Sequence, residues 1–210
     1  MQSAVLWDMD GTLVDSEEYH WLSWRDTMAA EGLPITHDQF MESFGQRNDT
    51  ILARWLGSDV PSERVQRIGD TKEELYRKLV REGGLAPLPG AAEWVKHLHF
   101  EGWVQAIASS APRANVTAVL EVIDLGSCFQ AIVSAEDVIR GKPDPQVFLT
   151  AASRLGMPPS QCIVVEDAPA GVEAARRAGM RSIGVRRNGP PLAADLAVTS
   201  LADLPPNAFK

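Results

Sequence analysis

Two aspartates stand two residues apart in Asp8-Met9-Asp10-Gly11-Thr12, and a second acidic pair, Glu166-Asp167, precedes Ala168-Pro169-Ala170-Gly171. Between them come the serine pair Ser109-Ser110 and a single lysine, Lys142, in Gly141-Lys142-Pro143-Asp144-Pro145. Each group has an ordinary explanation. Asp and Gly are common turn residues, Ser109 and Asp167 have the types that cap helices, and a lone loop lysine is usually solvated. Each also has a chemical one. A hydroxyl and free backbone N–H groups at a strand-to-helix turn suit a phosphate oxygen. A lysine stiffened by neighbouring prolines meets an anion as a point charge. Four carboxylates gathered at one place repel one another unless a cation joins them, and a hard dication with oxygen ligands, Mg²⁺ above all, is the natural one. Aspartates, a serine and a lysine around Mg²⁺ are the parts of phosphoryl transfer, where positioning and charge neutralisation carry most of the catalysis. No Cys or His cluster offers a zinc site, since His97 and His99 point to different faces of a helix.

The elements that would gather these residues are legible. Ala4-Val5-Leu6-Trp7 is wholly apolar and reads as a strand buried on both faces. Similar runs follow at 104–108, 131–134, 162–165 and 182–185, with helical patterns over 93–100, 113–123, 145–155 and 168–178 between them. Alternating strands and helices argue a parallel sheet covered on both sides, a doubly wound Rossmann-like α/β core. In such sheets ligands lie outside the carboxyl ends of the strands, which is where the acidic pairs, Ser109 and Lys142 fall. Residues 16–84 break the alternation. They show helical spacing over 17–31, 36–43, 50–56 and 62–82, punctuated by Pro34, Gly45, Gly57-Ser58 and Pro61. We expect a core of residues 1–15 and 85–210 with a helical cap of residues 16–84 inserted after the first strand, and a return hinge from Gly83 to Gly90.

Composition limits the partners. The chain has 210 residues, 45% of them hydrophobic and 23% charged, with a net charge of −8. That is the composition of a globular protein, and its sign disfavours nucleic acid and anionic lipid. The densest basic runs are only Arg176-Arg177 and Arg186-Arg187. No apolar run approaches the roughly 18 residues that a bilayer span requires. The first residues lead straight into the apolar strand with no basic leader, and two cysteines do not make a disulfide framework, so a cytoplasmic protein is expected; a monomer is expected as well.

The motifs resemble those of the haloacid dehalogenase superfamily across essentially the whole chain. Asp8-Met9-Asp10-Gly11-Thr12-Leu13-Val14 is similar to its first motif, Ser109 to the second, Lys142 to the third and Glu166-Asp167 to the fourth. The helical insert resembles the cap of the subgroup of β-phosphoglucomutases and small sugar-phosphate phosphatases. The resemblance implies that Asp8 is the nucleophile and Asp10 the general acid/base. It implies that the Asp8 carboxylate, the Asp10 backbone carbonyl and Asp167 bind Mg²⁺, supported by Glu166. It implies that Gly11, Thr12, Ser109, Ser110 and Lys142 hold the phosphoryl oxygens. Asp10 also argues for phosphoryl transfer over carbon–halogen cleavage, because the true dehalogenases lack the second aspartate.

Substrate choice is expected in the cap, at His20, Trp24, Gly45, Gln46, Arg47 and Lys72. Residue by residue, the plain alternatives are Trp24 as core and Arg47 and Lys72 as solvated surface. The mutases have a His, an Arg and a Lys at positions that resemble His20, Arg47 and Lys72. Against a mutase stand Thr12 after the motif glycine, a short turn around Arg47, and the missing lysine in Ser110-Ala111-Pro112-Arg113, where Arg113 is a candidate substitute. The expected reaction is therefore hydrolysis of a small phosphorylated metabolite, with the mutase as alternative. A non-enzymatic phospho-aspartate switch is more remote, because receiver domains lack the insert and carry the acceptor on a middle strand. Cys162, Trp55, Trp94 and Trp103 read as packing.

Overall fold

The computed structural model describes residues 3–57, 59–186 and 189–210. Ser58 of the expected helix break and Arg187 of the second basic run lie outside the described residues, as do Met1 and Gln2 of the expected leaderless start. Six parallel strands form one sheet in the order β3-β2-β1-β4-β5-β6. These are β1 (Ala4–Trp7), β2 (Val104–Ala108), β3 (Ala131–Val133), β4 (Cys162–Glu166), β5 (Arg181–Val185) and β6 (Leu196–Val198). β1 sits centrally, with Ala4 to Trp7 in register with Val104 to Ile107 on one side and Cys162 to Val165 on the other. Its alternate side chains enter different layers, Val5 and Trp7 packing into one apolar cluster and Ala4 and Leu6 into the other. This double burial is why the strand carries no polar residue until its carboxyl end.

Four helices cover the sheet: α5 (Ala91–Phe100), α6 (Arg113–Ile123), α7 (Gln146–Arg154) and α8 (Pro169–Arg177). Residues between β1 and α5 form α1 (Glu17–Ala30), α2 (His37–Met41), α3 (Asn48–Leu56) and α4 (Ser62–Gly83). Their own cluster joins Trp24, Met28, Phe40, Ile51, Leu52 and Ile68, with Trp55 packed edge-on against Trp24. The chain leaves and re-enters the sheet layer at one point, where Val14 bridges Pro87 and the Leu88 N–H donates to the Leu13 carbonyl at 2.7 Å.

Most element ends lie within a residue or two of the sequence reading, and three features depart from it in kind. β6 was not expected; it is a three-residue edge strand held by its pairing to β5. Gly83 lies inside α4 rather than in the return segment, and the helix stops at Gly84 with φ +74°. A Cβ at Gly83 would press on the Tyr19 ring, whose hydroxyl donates to the Gly84 carbonyl at 2.5 Å. Helix α8 is not capped by Asp167: Ala168 is its first boundary residue, and the Ala168 N–H is met by the Glu166 carboxylate at 2.9 Å.

Candidate active site

The carboxyl ends of β1, β2 and β4, together with the loop before α7, converge on a cavity of about 640 Å³. Its sheet-side wall includes Asp8, Asp10, Ser109, Ser110, Lys142, Glu166 and Asp167. Its other wall includes His20, Trp24, Phe44, Gly45, Gln46, Arg47 and Lys72. That volume suits a small organic ligand. Gly11 and Thr12 sit behind Asp167. The Thr12 hydroxyl donates to Asp167 at 3.5 Å, and Gly11, at φ +86°, has no room for a Cβ beside that carboxylate.

Asp8, Glu166 and Asp167 can each offer an oxygen within 4.8 Å of the others. All three belong to the rim that follows a buried strand, so their mutual repulsion is poorly screened. Burial, with repulsion from Glu166 and Asp167 added, raises the Asp8 carboxyl well above its ordinary range. Burial and Glu166 push Asp167 up to about 7. Lys142 is the resident counter-charge. Its ammonium donates to Asp8 and to Glu166, each at 2.6 Å, and lies 5.1 Å from the centre of the Phe148 ring. Although burial opposes its charge, the two carboxylates hold the ammonium above lysine's usual value. The solvated-loop alternative for Lys142 is therefore overturned. One ammonium against three carboxylates leaves a net negative pocket made wholly of oxygen donors, which fits a hard dication such as Mg²⁺.

Ser109 is not a helix cap. Pro112 precedes α6, and the Ser109 hydroxyl accepts from the Ala111 N–H at 3.0 Å, leaving its own proton to donate into the cavity. Asp10 is not one of the three-carboxylate group and has partners of its own. It accepts from the Ser16 hydroxyl and has His20 Nε2 at 3.5 Å. Lys72, which has donors only, meets His20 Nδ1 at 2.9 Å, so the ring proton belongs on Nε2, facing Asp10. Against the cost of burial, His20, Ser16 and Lys72 together lower the Asp10 carboxyl from its ordinary value, favouring its ionised form.

His20 stacks on Tyr76 with ring centres 4.1 Å apart. Lys72 is 1% exposed and lies over the Trp24 and Tyr76 rings at 5.2 and 5.3 Å, which overturns the solvated-surface alternative for it. Trp24 is core, as its plain alternative held, and also walls the cavity. Arg47 spans the cavity mouth. It donates to the Ala135 and Val138 carbonyls at 2.8 and 3.2 Å and pairs with Asp49 at 3.2 Å. Gln46 is exposed and donates to the Glu42 carbonyl at 3.2 Å. Gly45 has φ +82° in the turn between α2 and α3. Arg113 does not substitute for the mutase lysine here. It turns outward to Asp137 at 2.5 Å and to the Ile132 carbonyl.

A family profile for haloacid dehalogenase-like hydrolases matches residues 5–185. The chain belongs to this family. As a haloacid dehalogenase-like hydrolase it is an enzyme, and its chemistry is phosphoryl transfer. It is 33% identical over 209 residues to the β-phosphoglucomutase of Bacillus subtilis, covering 96% of this chain and 91% of that one. It is 32% identical over 213 residues to hexitol phosphatase B of Escherichia coli, covering 96% and 93%. The crystal structure of CbbY from Rhodobacter sphaeroides in complex with phosphate superposes with a TM-score of 0.89 at 28% identity, over 97% of this chain and 96% of that one. The parallel sheet and the inserted helices are those of the β-phosphoglucomutase-like members of the family.

Sequence reasoning missed Ser16, Asn48, Glu73, Tyr76 and Asn115. Glu73 looked like one more charge in Lys72-Glu73-Glu74, and only its partners on other elements distinguish it from Glu74.

Proposed function

We propose that this enzyme hydrolyses a small phosphate monoester, a sugar phosphate or close relative, with Mg²⁺ and through a phosphorylated Asp8. The observation that carries the reading is the convergence of Asp8, Glu166 and Asp167 around Lys142, with Asp10 held separately on its own partners. The negative charge of the bound ester opposes the Asp10 carboxylate, which takes up a proton; an Asp8 oxygen then attacks phosphorus, the bond from phosphorus to the ester oxygen breaks, and that oxygen takes the proton from Asp10. Asp10 then takes a proton from water as the water oxygen attacks the aspartyl-phosphate, freeing phosphate and restoring Asp8. Ser109, the Ser110 N–H and Lys142 orient the phosphoryl oxygens, with Gly11 and Thr12 shaping the turn beneath. The Asp8, Glu166 and Asp167 side chains and the Asp10 carbonyl would hold Mg²⁺, which supplies charge neutralisation at the phosphoryl group when bound.

Residues 16–84 act as a cap over a core of residues 1–15 and 85–210, its crossing points at 14–16 and 85–89 serving as hinges and its closed form excluding water. The enzyme is a monomer of the reducing cytoplasm, consistent with two buried free thiols.

The cavity's remaining cations favour a monoester over a bisphosphate. Arg47 is engaged by two carbonyls and Asp49, and Lys72 by Glu73 and His20, so a second phosphate would have to displace existing partners. The mutase remains the second reading, favoured by the identity to the Bacillus subtilis enzyme. A screen of phosphorylated metabolites with Mg²⁺ decides. Inorganic phosphate released from hexose or hexitol phosphates supports hydrolysis. Glucose 6-phosphate formed from β-glucose 1-phosphate with a trace of the 1,6-bisphosphate establishes the mutase instead.

A further inference from the structure

Glu73 belongs to none of the motifs above, yet it is only 5% exposed. Its Oε1 accepts from Lys72 Nζ at 2.9 Å and from Asn48 Nδ2 of α3 at 2.7 Å. Its Oε2 accepts from Asn115 Nδ2 of α6. Arg77 in turn donates to Asn115 Oδ1 at 3.0 Å, which fixes the orientation of that amide. A buried carboxylate is costly unless its lone pairs are met, and here three helices meet them. Two of these helices, α3 and α4, carry one wall of the cavity. The third, α6, begins just after Ser109 and Ser110 on the other. From Glu73 the contacts continue through Lys72 and His20 to Asp10. Arg81 and Glu121 also join α4 to α6, at 3.5 Å, but both are more than half exposed, and such surface pairs contribute little.

We propose that Glu73 is a positioning residue: by gripping Asn115 across the boundary between the walls, it sets the separation at which Lys72 holds His20 on Asp10. The inference rests on the reading of Asp10 as the acid/base group. Truncating either end of the grip leaves the ester's own contacts on the sheet intact and loosens the chain of contacts that ends on Asp10.

The test compares wild type, E73Q, N115A, the double variant and E121Q in steady-state hydrolysis of p-nitrophenyl phosphate with Mg²⁺. E73Q and N115A are expected to lower kcat about 10- to 100-fold with KM held within about twofold, as misplacement of a catalytic group does. The double variant should lose no more than E73Q alone, and E121Q should match wild type. In parallel, spin labels at Asp38→Cys and Ser153→Cys report the separation of the walls by electron–electron resonance, which E73Q and N115A should lengthen or broaden. An unchanged kcat, additive losses, a change confined to KM, or an unchanged distance distribution would overturn the proposal. If E73Q does not fold, N115A carries the same test from the opposite wall. A wild type inactive on every phosphate ester fails the reading of Asp8 and Asp10, while the distance measurement still decides Glu73.

Discussion

The rim of the sheet and the boundary between the walls are both crowded with buried charge, and they handle it differently. At the rim, three carboxylates share one ammonium, and two of the three are pushed toward their protonated forms. At the boundary, Lys72, Glu73, His20 and Asp10 alternate in sign or role, and the two carboxylates are lowered rather than raised. The boundary is electrostatically complete as it stands. The rim is short of positive charge, which bound protons or another cation would supply. A charged cluster that satisfies itself holds parts in place, whereas one left short of positive charge is built to receive it.

The largest effect that would break this contrast is at Asp8. D8N should fold normally and lose at least about a thousandfold in phosphatase turnover, as removal of a nucleophile does. A phosphate-release assay that finds substantial activity would remove Asp8 from its role. Metal removal comes next. With Asp167 pushed up to about 7 from 3.8, the folded chain in EDTA binds more protons than the unfolded one between those values, so its stability falls as pH rises through that window. Added Mg²⁺ should therefore raise the melting temperature more at pH 8 than at pH 5, and D167N should abolish the difference. Melting curves that do not respond to Mg²⁺ at either pH would contradict the contrast directly. At the boundary, H20A should lower kcat about 10- to 100-fold on both a sugar phosphate and a small aryl phosphate, because His20, besides lining the cavity, touches Asp10. A loss on the sugar phosphate alone would return His20 to substrate selection.

The last effect is on stability rather than turnover and concerns a charged group outside both regions. Asp137 accepts from Arg113 and Arg154 and from the Ser134 N–H and hydroxyl, with Arg154 the main cause of a carboxyl held far below its ordinary 3.8. D137N should cost about 1.5–3 kcal/mol at neutral pH, the range for hydrogen bonds to a charged group. Because the folded value is depressed, that contribution is present above the ordinary value and lost as pH falls toward the folded one. Denaturant unfolding of both proteins at pH 7 and pH 3 measures it.

Much of the fold was written in local patterns. β1, β2 and α6 have the boundaries their apolar runs and helical spacing imply, because each packs a regular face. β6 escaped because Leu-Ala-Val is too short and uniformly apolar to carry a period, and pairing with β5 alone makes it a strand. At the site, the strand-end motifs were legible since position after a buried strand is itself a sequence signal. The boundary was not. Glu73 and Asn115 are 42 positions apart, and the surrounding Lys-Glu-Glu run reads as a solvated helix face. The direction of Arg47 was equally hidden, because its acceptors are backbone carbonyls that leave no trace in residue types.

Helix α4 has 22 residues, about 33 Å of rise, and its two halves answer to different layers. Ile68 is seated among Trp24 and Phe40, whereas Tyr76 and Val80 are seated with Val5, Trp7 and Leu13 of the sheet layer. If residues 16–84 close over the core as proposed, the helix acts as a lever whose fulcrum is embedded in the body it moves against. With the cap motion proposed above, tilting the free arm about those last turns would admit a ligand and keep Tyr76 and Val80 buried, whereas lifting the whole helix would wet both.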